Sequence, residues 1–435
     1  MKKWLAISFI LFALAISSFA TAENIIPVKN ESNIIFSFGS CNKFRANPNP
    51  EIFLNISHQN PDVWTWVGDI AYLPAKVDMT GVMKGFNDTK NSAFYTHLRT
   101  KTTVIGTWDD HDYGENDGDK DYKHKEQVKQ LYLDFLDEPA DSPRRSRDGV
   151  YESYYLGKEK KVKIILLDVR YNKDARFSFS EDMLGENQWK WLEEELANNN
   201  ATFTLIASGS QILPDDRIFP EHWYRQSRER LIGLIRKYKV SGVIFLSGDV
   251  HYAEFMKHPC PARVGYNLYE FTSSGLTHYV SQYIPFGGQL FNELFTHTYN
   301  GPNDRFMDKN FGIIKFDFEG EEEPKAIMMI KNSHGTTVLE KEIKYEEVRF
   351  KEERIDMEAE CVLDRNRFVR FFGKYFHEIF KGNWFMIRYT LAVGLIMLGV
   401  LSTSLLVWIK RGIFVNFVKM IHRKIFRKEK NVKRE

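Results

Sequence analysis

The sequence predicts an α/β domain, and three observations predict it. Short apolar runs recur from about residue 33 to 320, helix-like stretches separate several of them, and nearly every run stops at polar residues suited to metal or phosphate chemistry. Composition agrees. Of 435 residues, 43% are hydrophobic and 27% charged, with 27 Gly and 14 Pro, which excludes disorder or low complexity for the chain as a whole. Three cysteines are too few for a disulfide scaffold or a four-cysteine zinc module.

The elements follow in order. Met1-Lys2-Lys3 is a short basic start, residues 4–19 are almost wholly apolar, and Ala20-Thr21-Ala22 has the small-x-small pattern of a cleavage site. Residues 1–22 therefore read as a secretory signal peptide, with an uncleaved signal anchor as the alternative. The expected strands are IIFSF (34–38), VWTWV (63–67), TVIGT (103–107), KIILL (163–167), FTLIA (203–207) and VIFL (243–246). Helices are expected over 122–136, 186–197 and 224–238, the second with Trp189, Leu192 and Leu196 on one face. Residues 313–347 read as two or three antiparallel strands that finish the sheet and close a domain over 23–349. Residues 350–383, rich in charge and then in Phe, predict a helical juxtamembrane segment.

Tyr389 to Ile409 is a run of 21 residues without a charge, enough helix to cross roughly 30 Å of hydrocarbon. Trp384, Phe385 and Trp408 stand where interfacial aromatics would, so a transmembrane helix is expected over 384–409; a buried core helix is the alternative. The tail, 410–435, holds ten Lys or Arg and two acids. The region between the leader and the tail, Arg388 aside, holds 47 basic against 56 acidic residues, so the formal net charge of +2 hides a strong asymmetry. A body this acidic predicts no stable nucleic-acid binding, which rests on Lys and Arg neutralising phosphates. The positive-inside rule places the tail in the cytoplasm and the domain on the periplasmic, extracellular or lumenal side, as in a single-pass type I protein of the secretory pathway or cell membrane. Alternation of cations with Ile413, Phe414, Phe417 and Ile421 suits a tail lying on the anionic inner leaflet, and equally a solvated stop-transfer tail.

The strand ends carry the chemistry. The apolar runs end, in order, in Ser40-Cys41-Asn42, Gly68-Asp69-Ile70-Ala71-Tyr72, Trp108-Asp109-Asp110-His111-Asp112, Asp168-Val169-Arg170, Ser208-Gly209-Ser210-Gln211 and Ser247-Gly248-Asp249-Val250-His251. Carboxyl ends of strands in α/β sheets face the ligand crevice, and carboxylates, His and Cys converging there can hold metals. One such Asp is as easily a turn or cap residue; the whole set is hard to explain as capping.

This order, with Leu184 to Leu192 and Thr272 to His278 added, resembles the PhoD-type (alkaline phosphatase D-like) metallophosphoesterases over about residues 33–316. The resemblance implies a calcineurin-like fold, a two-sheet αββα sandwich with a dinuclear centre at the strand ends. It further implies that Asp69 bridges two metals and that Cys41, Tyr72 and His251 complete a ferric site. Asp110 and Asp249 belong to the second metal, which would be Ca²⁺, Mg²⁺ or Mn²⁺. His111 faces the substrate and leaving group. The implied reaction is hydrolysis of a phosphate mono- or diester by a metal-bridging water, with His111 protonating the leaving alkoxide and Arg170 pairing with phosphate. Gln211 and His278 are candidate substrate-binding residues; Gln211 stands where the wider fold often has a metal-binding His.

Each assignment has a plainer rival: a simply buried Cys41, a core Tyr72, an ion-paired Arg170, a hydrogen-bonded core His278. Asp109 and Asp112 read better as supporting or turn residues than as ligands. The chain lacks a twin-Arg leader, and residues 23–32 leave no room for the extra N-terminal β domain of larger bacterial members. With Cys41 assigned to metal, Cys260 and Cys361 remain, and an exported domain would join them in a disulfide. The other function classes to weigh are a tethered scaffold on a decayed phosphatase fold, and a phospholipase or nuclease using the same centre.

Overall fold

The computed structural model describes residues 23–43, 50–72, 78–175, 178, 180–214, 222–282, 301, 303–319 and 323–356. The expected leader, transmembrane span and basic tail lie outside them, as does the juxtamembrane segment beyond 356. Among the described residues no helix is long and apolar enough to cross a membrane.

The elements in order are β1 (Ile25–Ile26), β2 (Asn33–Gly39), α1 (Ile52–His58), β3 (Val63–Val67), α2 (Met79–Lys90), α3 (Ala93–Arg99), β4 (Thr103–Thr107), α4 (Asp110–Tyr113) and α5 (Lys125–Phe135). There follow β5 (Glu152–Leu156), β6 (Val162–Leu166), α6 (Gly185–Ala197), β7 (Phe203–Ala207), α7 (Arg225–Lys237), β8 (Val243–Ser247), β9 (Ala253–Lys257) and β10 (Tyr269–Ser273). The described residues end with β11 (Arg305–Phe306), β12 (Asn310–Asp317), β13 (Lys325–Asn332), β14 (Thr337–Lys344) and α8 (Tyr345–Val348).

The strands form two sheets, one of order β1-β5-β6-β7-β8-β10-β9-β11 and one of order β14-β13-β12-β2-β3-β4. This is the expected two-sheet α/β architecture. The chemistry-bearing strands run parallel to one another: β2, β3 and β4 in the smaller sheet, and β6, β7, β8 and β10 in the larger. Strands β3, β6, β7 and β8 are buried at every position, as sheets covered on both faces require. The expected antiparallel finish is β12–β13–β14.

Two cores hold the layers together. Between the sheets, Phe36, Phe38, Ile314 and Phe316 meet Ile164, Ile206, Phe245 and Phe271. Phe38 meets Phe271 edge-on at 4.9 Å between centroids, a contact that adds about 0.5–1.5 kcal/mol beyond area burial. Behind the smaller sheet, Trp64 and Trp66 project onto Phe53 of α1, Tyr95 of α3 and Phe135 of α5. Helix α6 buries Trp189, Leu192 and Leu196 as its spacing predicts, and Gln188 as well. Gln188 accepts from the Asp168 N–H and donates to the Asp168 carbonyl, both at 2.8 Å, so α6 fixes the chain just beyond β6.

Residues 350–356, the described start of the expected juxtamembrane helix, hold only a 3₁₀ turn, Glu352–Arg354. Their backbone is tied to the domain instead, Phe350 N–H to Ser241 Oγ and Asp356 N–H to the Ala262 carbonyl. Cys260 is disulfide-bonded and Cys41 is free; Cys361, the remaining cysteine, lies outside the described residues.

Candidate metal centre

The loops after the parallel strands of both sheets are sewn together by backbone hydrogen bonds. Gly68 N–H reaches the Thr107 carbonyl, Gly248 N–H the Gly209 carbonyl, and Asn42 N–H the Asp69 carbonyl. The two sheets are joined where Thr277 and His278 N–H both donate to the Cys41 carbonyl. Glycine is needed at two of these crossings. A Cβ on Gly68, whose φ is +91°, would sit 2.4 Å from Asp109 Cβ, and one on Gly248 would sit 2.4 Å from Ser40 Oγ.

The turns that follow are strained. Cys41, Asp69, Asp249 and His251 all hold positive φ, between 53° and 71°, a region that costs a non-glycine residue of order 1–3 kcal/mol. Four sequence-selected residues in that state at one rim is what a preorganised site looks like.

Their side chains converge. Cys41, Asp69 and His251 offer ligand atoms all within 4.8 Å of one another; so do Asp69, Asp110 and His111, and so do Asp109, Asp110 and Asp249. Asp69 belongs to the first two groups and Asp110 to the last two. Tyr72 completes the first: its hydroxyl donates to Asp69 Oδ2 at 3.0 Å and lies 2.9 Å from His251 Nε2. Cys41 Sγ is 3.5 Å from Asp69 Oδ2 and 3.1 Å from Ser274 Oγ, and Ser274 Oγ also accepts from His251 N–H. Ser274 thus supports two candidate ligands. It lies inside the Thr272–His278 motif but carried no signal of its own in the sequence.

The remaining site residues are placed as follows. Asp112 accepts from Ala71 N–H at 3.1 Å and from Asp109 N–H, so it fastens one strand-end loop to another, as expected of a supporting residue. Asp109, read from sequence as a turn residue, stands within reach of a metal group and also binds Arg170, Oδ1 to Nε, at 2.5 Å. Arg170 is 2% exposed and Nη1 has no hydrogen-bond partner among the described residues. The His278 ring lies 4.0 Å from that of His251 and edge-on to Tyr72. Gln211 turns its amide to Glu254 of β9 and Thr272 of β10, at 2.6 and 3.1 Å, so its donors are committed to the sheet.

The electrostatics fit cations. Burial, reinforced by the charges of Asp110, Asp109 and Asp112, pushes the Asp69 carboxyl well up. Burial likewise raises the Cys41 thiol and the Tyr72 phenol. Burial opposes ionisation of Asp110 too, but Arg170 and His111 hold it down at about 2. His251 is pushed down to about 4 by burial and by His111, which leaves a neutral imidazole able to coordinate. Asp109 Oδ2 and Asp110 Oδ1 are buried without a hydrogen-bond partner among the described residues. Buried anions crowded together need compensation worth several kcal/mol each, and bound cations supply it.

The PhoD-like phosphatase family matches residues 36–323. The chain belongs to that family. It is accordingly a phosphoric ester hydrolase of the PhoD-like kind, a family that uses metal ions. A solved structure of PhoD is 15% identical, with a TM-score of 0.53, covering 81% of this chain and 78% of that one; it shares the fold. GAP50, the anchor in the inner membrane complex of Plasmodium, is 10% identical at a TM-score of 0.42, covering 75% of this chain and 92% of that one. No curated protein sequence matches the chain.

Proposed function

We propose that this PhoD-like phosphatase is a membrane-anchored, dinuclear hydrolase of phosphate mono- or diesters. One observation carries the dinuclear reading: Asp69 is shared by two ligand groups of different chemistry. The first, Cys41, Asp69 and His251 with the Tyr72 hydroxyl beside them, offers thiolate, carboxylate and phenolate, anionic donors that stabilise the hard ion Fe³⁺. The second joins Asp69 to Asp110 and His111, and Asp110 is in turn grouped with Asp109 and Asp249; this side is richer in carboxylate oxygen and suits Ca²⁺, Mg²⁺ or Mn²⁺. When bound, the cations supply Lewis acidity and an activated nucleophile for in-line displacement at phosphorus.

The chain's own residues do the rest. Cys41, Asp69, Asp110 and Asp249 are buried, whereas Tyr72, His111 and His251 are half-buried, so substrate enters on the side of these three rings. His111 is held by its backbone, whose N–H donates to Asp69 Oδ1 at 3.4 Å, and by its ring, 4.0 Å from that of Tyr72. From there its imidazolium protonates the departing alkoxide. Arg170 holds Asp109 and lends its charge to Asp110, and its buried Nη1, without a hydrogen-bond partner among the described residues, is our candidate to meet a phosphoryl oxygen. Anchoring rests on the uncharged run Tyr389–Ile409 and the basic tail, with the domain on the periplasmic, extracellular or lumenal side.

The test uses the full chain, extracted by detergent from the membrane fraction, beside Asp69→Asn. Metal analysis should give two ions per wild-type chain, and the variant should lose at least about 100-fold in metal affinity together with hydrolysis of p-nitrophenyl phosphate and bis(p-nitrophenyl) phosphate. Metal-free, inactive wild type after reconstitution would favour the scaffold reading. Recovery in the soluble fraction without detergent would remove the anchor.

A further inference from the structure

We propose that Lys43 sets the charge class of the substrate, selecting doubly ionised phosphate monoesters over singly ionised diesters. The inference rests on the phosphoesterase reading and concerns the open side of the same centre. Lys43 leaves the chain two residues beyond Cys41, from a backbone that is firmly held. Asn42, fully buried, donates its N–H to the Asp69 carbonyl at 2.8 Å and its Nδ2 to the Ile70 carbonyl at 3.1 Å, and accepts from Thr277 Oγ1 at 3.2 Å. The Lys43 ammonium lies over the Tyr72 ring, 5.8 Å from its centroid. The same ring lies 4.8 Å from that of His278 and 6.3 Å from that of His251, centroid to centroid. Lys43 is half-buried, like Tyr72, His111 and His251, and so shares the open side with them.

The chemistry of that position follows. A cationic metal centre already attracts a dianion more than a monoanion. A cation at the mouth adds to that preference, because its attraction also grows in proportion to the charge the substrate brings. Above pH 7 a phosphate monoester carries close to two negative charges and a diester one. One unit of charge about 8 Å away, at an effective dielectric of about 30, changes binding about tenfold. Methionine keeps most of the length and bulk of the lysine side chain, so the substitution removes the charge with little change in shape.

The experiment compares the metal-loaded full-length enzyme with Lys43→Met and Lys43→Arg at pH 8. Lys43→Met should lower kcat/KM for p-nitrophenyl phosphate about 100-fold, mostly through KM, and that for bis(p-nitrophenyl) phosphate about tenfold, so that their ratio shifts about tenfold. Lys43→Arg should restore the monoester rate, and inorganic phosphate binding followed by calorimetry should weaken in Lys43→Met alone. Metal content should be the same in all three. Equal losses on both esters, or none on either, would overturn the role of Lys43 while leaving the phosphoesterase reading intact. A wild-type enzyme that turns over neither ester would overturn both.

Discussion

Replacing Arg170 by Leu separates a structural role from a direct catalytic one. The guanidinium and its partner Asp109 are 2% and 0% exposed, joined by one bond of 2.5 Å. Burial pushes the Asp109 carboxyl up, the charge of Arg170 pulls it back, and Asp110 pushes it up again. Removing the guanidinium leaves a buried carboxylate beside a second one, with the charge of Lys173 still reaching both. Breaking a buried pair from one side costs about 3–5 kcal/mol, whereas replacing both partners by neutral groups costs far less. We therefore expect Arg170→Leu to lose about 3–5 kcal/mol and Asp109→Asn somewhat less, with the double variant recovering about 2 kcal/mol relative to their sum. Urea unfolding followed by the fluorescence of buried Trp64, Trp66 and Trp108 reads this directly, at saturating metal and again after chelation. The reasoning fails if Arg170→Leu stays within about 1 kcal/mol of wild type, or if the two costs simply add. A large rise in KM at unchanged stability would instead make Arg170 a phosphate ligand only.

Two further expectations come from the same geometry. His111→Ala should leave metal content unchanged and slow alkyl phosphates about 10²–10⁴-fold, but aryl phosphates with good leaving groups much less; a loss of metal would show that His111 is a ligand. Glu270, fully buried on β10, accepts from Ile212 N–H, Leu213 N–H and Ser247 Oγ, and burial raises its carboxyl to about 7. Between the ordinary carboxylate range and pH 7 the folded chain holds a proton that the unfolded chain has lost, so stability falls as pH rises through that window and levels off above it. Glu270→Gln should flatten this slope between pH 5 and 8 and, by leaving one backbone N–H without an acceptor, cost about 1–3 kcal/mol; urea unfolding at both pH values checks it.

Strands β3, β4 and β7 fall on the residues their apolar runs predict, and β6 is displaced by one. They were legible because β3, β6 and β7 are buried at every position and β4 over its last three, which favours apolar runs. Strands β9 and β10 were not, and the reason is visible in their side chains. Each carries a fully buried glutamate, Glu254 and Glu270, that breaks the apolar pattern. Partners distant in sequence pay for that burial: Arg305 and Gln211 bind Glu254, and the 212–213 backbone binds Glu270. No window of sequence contains both halves of such a pair. The two-residue strands β1 and β11 are too short to leave a pattern at all.

The centre shows the same division between local and distant causes. Asp69, Asp110, His111, Asp249 and His251 announced themselves because each ends a strand, and parallel strands deliver their ends to one rim whatever the details of packing. What the rim does with them depends on contacts between loops. The capture of Asp109 by Arg170 joins residues 61 positions apart, and Ser274 reaches Cys41 across 233. The division between buried ligands and half-buried rings exists only once both sheets are assembled. The carboxylates lie where water cannot screen them, so cations must; the rings and Lys43 lie where substrate can reach them. Tyr72 and His251 belong to both layers, as candidate ligands that also face the open side, whereas Lys43 and His111 stand on the open side alone, so substitutions at these two should change turnover and selectivity without emptying the centre.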